Sequence, residues 1–142
     1  MDDPIALRRR IAESRIARLA TLDADGRPHL VPIVFALAGD TLYSAVDAKP
    51  KRSRTLQRIE NARRRPAVTI LVDHYDEDWE QLWWVRLRGL ARVLDDGEEA
   101  ADALALLTAK YEQYRREPPG PPVLAVDVSE WRAWKADERG DA

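Results

Sequence analysis

The stretch SAVDAKPKRSRTLQRIENARRRPAVTILVDHY, residues 44–75, decides how the chain is read. Ser44-Ala45-Val46 closes an apolar strand, and Val68-Thr69-Ile70-Leu71-Val72 forms the centre of another. Between them lie Lys49, Lys51, Arg52, Arg54 and Arg58, with Asp47 the only acid as far as Arg58. Leu56, Ile59 and Ala62 recur at helical spacing, so a helix is predicted to start at Ser53 or Arg54. Arg63-Arg64-Arg65-Pro66 ends it with cations that suit the negative end of a helix dipole. Ala67 to Val72 is continuously apolar, which predicts a strand buried on both faces. Cations at a strand exit beside a helix start gather point charges and unpaired backbone N–H groups around one spot, which suits an anion. Charge clustering alone reads equally well as soluble surface.

Outward from this stretch, hairpin chemistry dominates. Asp2 or Asp3 can cap a first helix with Pro4 at its first position, Leu7 and Ile11 on one face, and an end near Ser14. A strand from Ile16 leads into Asp23-Ala24-Asp25-Gly26, whose Asp-Gly pair supplies the positive φ of a tight turn. The return strand, Pro28 to Leu37, contains Pro32, which has no N–H to donate and belongs at an edge or bulge. Ala38-Gly39-Asp40 turns into Thr41 to Val46. Leu82 to Leu94 is the longest strand, with Trp83, Val85 and Leu87 alternating against Trp84, Arg86 and Arg88. Asp96 with Glu99 has capping-box spacing. It is expected to open a third helix, with a stripe of Leu104, Leu107, Tyr111 and Tyr114 and an end near Arg116. A last strand, Val123 to Val128, precedes Trp131 and Trp134. Hairpins without alternating βαβ units predict a mainly β (α+β) fold, a six- or seven-stranded antiparallel barrel with flanking helices. One domain, residues 1–136, is expected, with 137–142 a flexible tail.

Composition removes several function classes. A net charge of −2 on 142 residues is unlike the basic domain of a general nucleic-acid binder, so no nucleic acid is expected. No apolar run spans a bilayer and Met1 to Pro4 does not read as a signal peptide, so no membrane contact is expected and the location is read as cytoplasmic. Without cysteine there are no disulfides or thiolates, and His29 and His74 are the only imidazoles. Neither lies near a Gly-x-Ser-x-Gly turn, which removes a triad. His74 among Asp73, Asp76, Glu77 and Asp78 lacks metal-enzyme spacing, so no metal is expected and the acids read as a solvated loop. Both histidines read as structural residues. With no Walker loop or Gly-x-Gly-x-x-Gly turn, any phosphate must be held by side-chain cations.

Asp23-Ala24-Asp25-Gly26-Arg27-Pro28-His29, Val31-Pro32-Ile33, Tyr43-Ser44-Ala45-Val46-Asp47, Lys49-Pro50-Lys51-Arg52-Ser53-Arg54-Thr55-Leu56, Arg65-Pro66-Ala67-Val68 and Leu71-Val72-Asp73 with Trp79 follow one another in order. Together they resemble the split-barrel flavin-binding superfamily that contains the pyridoxamine-phosphate-oxidase-like proteins. Asp73-His74-Tyr75-Asp76 and Leu82-Trp83-Trp84-Val85-Arg86 most resemble its branch that uses the deazaflavin F420. The resemblance implies a homodimer of split barrels with a cofactor groove at the interface. By the same resemblance Lys49, Lys51, Arg52 and Thr55 hold the cofactor phosphate, and Ser44 and Val46 line the ribityl chain and ring edge. Val31, Pro32 and Ile33 run past the ring, and Trp79 of the opposite protomer closes the groove.

The activity implied is an F420-dependent reductase that passes a hydride to a small conjugated acceptor, with no catalytic side chain assigned. FMN on the same fold is the alternative cofactor, and a non-catalytic F420 or polyanion-binding module the alternative function. F420 carries several carboxylates beyond its phosphate, so Arg54, Arg58 and Arg63 to Arg65 are candidates for a longer cationic track. Surplus large apolar surface, including Trp83, Trp84, Trp131 and Trp134, fits an interface, with at least two of the four indoles expected in the core.

Overall fold

The computed structural model describes residues 3–46 and 52–136, and for 52–56 the backbone alone. The first helix, α1 (Pro4–Glu13), begins where Asp3 Oδ1 accepts from the N–H groups of Ile5 and Ala6, each at 2.9 Å. Such a cap contributes about 1 kcal/mol. Leu7 and Ile11 bury its apolar face. Strands β1 (Ala17–Leu22) and β2 (Pro28–Ile33) form the predicted hairpin, with Gly26 at φ 81°. The return strand does not run unbroken to Leu37. It stops at Ile33, and β3 (Ala36–Ala38) begins after Val34 and Phe35.

Next come β4 (Thr41–Val46), α2 (Arg52–Arg64), β5 (Ala67–His74), a single 3-10 turn (Trp79–Gln81) and β6 (Trp83–Leu94). They are followed by α3 (Glu98–Lys110), α4 (Glu112–Arg116) and β7 (Gly120–Lys135). The seven strands lie in the order β2-β1-β5-β6-β7-β4-β3, all antiparallel. The two edge strands, β2 and β3, are consecutive in sequence. The sheet therefore curls until its edges meet at Val34–Phe35 without pairing, which makes a split barrel. Pro32 lies on the edge strand, where its missing donor breaks no ladder. Among the described residues no helix is long and apolar enough to cross a membrane.

Leu19, Phe35, Leu42, Ile70, Val72, Val85, Leu87 and Leu124 fill the interior, each almost without solvent contact. A fully buried side chain of this size contributes roughly 2 kcal/mol. Ile59 and Ala62 of α2 join this core, and buried Asn61 fastens the helix to β1 by donating to Thr21 Oγ1 at 3.0 Å. A second cluster, including Tyr43, Ala45, Ala103, Leu107, Tyr111, Val123 and Ala125, packs α3 and α4 onto the outside of β4 and β7. Those two strands are the ones buried on both faces. β5 departs from the expectation: Val68, Ile70 and Val72 are buried, but Thr69 and Leu71 on the other face are half-exposed. On the outside, α3 and α4 cover β3, β4 and β7, whereas α2 meets β1 and β6 through the interior core, so the outer face of β1-β5-β6 stays open.

Three further expectations change. The Asp96–Glu99 capping box does not form, because α3 starts one residue later with Gly97 (φ 97°) at the cap and no side-chain bond. Glu99 instead receives Arg92 on both carboxylate oxygens at 2.8 Å and the Tyr43 hydroxyl at 2.8 Å. The third helix is broken at Tyr111, whose backbone is extended. The last strand is far longer than Val123 to Val128, running to Lys135 past a bulge between Arg88 and Gly89. It carries both tryptophans. Trp83 and Trp131 pack against the core, whereas Trp84 and Trp134 stack on each other at 6.4 Å on the other face.

At the bulge a side chain on Gly89 would place its Cβ 2.2 Å from the Asp127 carbonyl oxygen. Gly89→Ala is expected to lower stability by about 3 kcal/mol in urea unfolding, since backbone on both strands must shift. Arg92 and Tyr43 hold the Glu99 carboxyl down at about 2, from an ordinary value of 4.5. The unfolded chain therefore takes up this proton first, and the contribution of Glu99, full above about 4.5, is lost as pH falls toward 2. Glu99→Gln should flatten that part of the stability–pH curve.

Candidate functional site

The chain crosses from one sheet edge to the other at Val34–Phe35, and there a cleft of about 270 Å³ opens. Ile16, Pro32, Ile33, Val34, Ala45, Arg58 and Tyr114 line it. Two residues that leave a ladder must find other partners for their backbone groups, and side chains meet three of the four. The Ser44 hydroxyl donates to the Val34 carbonyl at 2.9 Å. The Phe35 N–H donates to the Tyr111 hydroxyl oxygen at 3.1 Å. That hydroxyl has one proton and two carbonyls in reach, Arg15 at 2.9 Å and Phe35 at 3.0 Å. Lys110 Nζ also donates to the Phe35 carbonyl, at 2.9 Å, so that carbonyl keeps a donor when the tyrosine proton turns to Arg15. Burial raises the Tyr111 hydroxyl above its ordinary 10. Burial, with a smaller contribution from the Arg15 charge, lowers the Lys110 ammonium to about 8.

Pro32 and Ile33, expected beside a cofactor ring, are on the cleft wall, while Val31 is half-buried and turned to the core. Ser44 and Val46 alternate with Ala45, so they face the barrel interior and Ala45 faces the cleft. Ser44 thus acts on the site through the Val34 carbonyl. Lys49 and Lys51 lie outside the described residues. Arg52 and Thr55 sit in the first turn of α2, the helix that brings Arg58 to the cleft, where its guanidinium donates to the Ala45 carbonyl at 3.3 Å. Arg63 does not extend this track: it is paired with Asp95 at 2.9 Å, at the other end of α2. Trp79 stands 68% exposed on the 3-10 turn between β5 and β6, its indole N–H 3.4 Å from the Tyr75 hydroxyl.

Neither histidine lines the cleft. His29 is half-buried opposite Thr21 with its Nδ1 buried and unpartnered, and His74 stacks on Trp83 at 5.9 Å. Among the described residues no group of three or more His, Cys, Asp or Glu could hold a metal ion. The reading from sequence missed Val34, Ala45 and Tyr114 as wall residues, and Lys110 and Tyr111 as supports. Val34 and Phe35 look like strand interior, and Tyr111 fits the apolar stripe of a longer helix.

A sequence model for pyridoxamine 5'-phosphate oxidase matches residues 4–135. The chain belongs to this family. No curated protein matches it. Solved structures do, including a conserved hypothetical protein from Mycobacterium tuberculosis, at 20% identity and TM-score 0.76 over 95% of this chain and 86% of that one. An FAD-binding protein from Mesorhizobium loti is 19% identical with TM-score 0.69, covering 93% of this chain and 94% of its own. An F420 reductase is 25% identical with TM-score 0.64, covering 87% and 94%. The split barrel of this family is the fold described above, and its open seam is the cleft.

Tyr111→Phe removes the acceptor of the Phe35 N–H and a donor to the Arg15 carbonyl. Leaving a buried N–H unpaired costs about 2 kcal/mol, which urea unfolding at neutral pH would register.

Proposed function

We propose that the cleft at the β2–β3 crossover holds the ring of coenzyme F420, and that the protein is an F420-dependent reductase of small conjugated acceptors. The observation that carries this reading is the convergence of an apolar wall, Pro32-Ile33-Val34 and Ala45, with Arg58 and the start of α2. An edge strand keeps one row of backbone N–H and C=O groups unpaired, and β2 can offer that row to the polar edge of a planar ring. Lys49, Lys51, Arg52 and Thr55 would hold the phosphate, with backbone N–H groups of the first turn of α2 adding to the donors. This donor set fits an anion joined to a flat, partly apolar ring. The described wall offers no nucleophile and no metal cluster, which agrees with chemistry supplied by a cofactor.

Bound there in reduced form, F420 supplies the hydride. The chain's own residues bind and orient: Pro32 and Ile33 set the plane available to the ring, Arg58 places positive charge at the wall, and the apolar surface limits water. The 25% identity to an F420 reductase supports the choice of deazaflavin. A second reading, a flavin such as FMN or FAD bound with or without turnover, is favoured by the likeness to a protein described by the FAD it binds. The proposed assembly is a homodimer. The uncovered face of β1-β5-β6 carries an open apolar groove of about 450 Å³ lined by Ala20, Leu22, Ala67 and Leu90, which a second protomer could cover while bringing its Trp79 to close the cofactor cleft.

Fluorescence titration of the purified protein with F420, FMN and FAD tests the cofactor, and single-turnover oxidation of bound reduced F420 by quinones and nitroaromatics tests the reaction. Micromolar binding of F420 with weaker flavin binding is expected. Flavin binding alone would overturn the F420 reading, and no oxidation by any acceptor would overturn the enzyme. Replacing Lys49, Lys51 and Arg52 together by alanine should weaken F420 binding by about 100-fold or more, because each charged hydrogen bond contributes roughly 1.5–3 kcal/mol with partial additivity.

A further inference from the structure

We propose that Lys110 is a positioning residue for the cleft: its ammonium, seated on the Phe35 carbonyl, holds the Val34–Phe35 crossover and thereby sets how a ring is seated against Val34. The proposal rests on the cofactor reading of the cleft, and it assigns that site a control by protonation. Its basis is a count of partners. The Arg15 and Phe35 carbonyls share two donors, Tyr111 Oη–H and Lys110 Nζ. Without Lys110 the single tyrosine proton cannot serve both, so the crossover or the α1–β1 junction loses one of its ties. Lys110 also lies 3.9 Å from the Phe35 ring centroid and 5.2 Å from that of Tyr111, so its charge meets aromatic faces rather than a carboxylate.

The charged groups around it are cations. Arg15 donates to the Lys110 carbonyl at 2.9 Å and lies over the Tyr111 ring at 4.7 Å. Arg115 of α4 donates to the Thr108 and Ala109 carbonyls at 3.0 and 2.9 Å. The last three carbonyls of α3 are thus held by two guanidiniums. Glu112, the nearest acid in sequence, is turned to Arg116 at 2.8 Å, and β3 brings no charge. Burial and the Arg15 charge bring the ammonium to about 8, so it changes state just above neutrality. Charge-assisted bonds are roughly twice as strong as neutral ones, so deprotonation loosens the tie.

F420 affinity is to be measured from pH 7 to 9.5 for the wild type, Lys110→Met and Lys110→Arg. The wild type is expected to weaken about 3- to 10-fold with a midpoint near 8. Lys110→Met should be weak throughout with no such limb. Lys110→Arg, which does not titrate there, should bind tightly throughout. Any titration of the cofactor itself is common to all three. A limb that persists in either variant, or unchanged affinity in Lys110→Met at pH 7, overturns the proposal. Deuterium uptake of residues 31–37 in ligand-free protein supplies a readout that needs no cofactor. At pH 7 it should be about fivefold faster in Lys110→Met and unchanged in Lys110→Arg. If Lys110→Met does not fold, the wild-type and Lys110→Arg profiles still decide. If no cofactor binds the wild type, the reductase reading fails, while equal uptake in Lys110→Met and wild type would sink the tie itself.

Discussion

The structure depends on how Val34 and Phe35 leave the sheet. A seven-stranded antiparallel sheet that curls on itself without closing has two free edges, and here the chain passes from one edge to the other in two residues. Their backbone groups have no ladder to join, and at Phe35, fully buried, water cannot serve them. Ser44, Lys110 and Tyr111 supply the missing partners. The placement of α3 follows, because its last residue and the one after it must reach the crossover. The break between α3 and α4 falls at that same tyrosine, whose backbone is extended.

This arrangement also divides the molecule. One side of the sheet is doubly covered, by the barrel interior and by α3 with α4, and there β4 and β7 are apolar on both faces. The other side, β1-β5-β6, has an interior face and an open one, with Leu30 and Leu90 more than half exposed. The cleft lies at the seam between the two edges. Arginine serves the same end throughout. Arg8 and Arg10 lie over Trp131 and Trp83, Arg92 joins α3 to β6 and β7 through Glu99 and Asp127, and Arg15 and Arg115 finish α3. A planar fork that can stack and donate several bonds is suited to such junctions.

Much of the barrel was legible because its signals are local. Asp25-Gly26 dictates a hairpin whatever surrounds it, Pro32 marks an edge, and alternation in β6 sorts its side chains correctly. The errors arose where distant residues decide. Glu99 fits a capping box locally, but Arg92 and Tyr43 offer its carboxylate better partners. Ala67 to Val72 reads as doubly buried because composition cannot tell a face covered by a helix from one left open. Of the candidate site, Pro32 and Ile33 were legible through the family resemblance and Arg58 through the charge pattern. Val34, Ala45 and Tyr114 were not, because they become wall residues only through the crossover.

The residues that fix the crossover are 75 and 76 positions away from Phe35, and the tyrosine also reaches back 96 positions to Arg15. Closing such long loops is an entropic debt met only when the late segments arrive, so contacts of this span slow folding. The hairpin β1–β2 can form early from its own turn. The wall of the cleft cannot, since until α3 has packed, Val34 and Phe35 have no reason to leave the strand. The binding surface is therefore a late product of assembly, and an N-terminal piece of this chain can be well structured and still have no site.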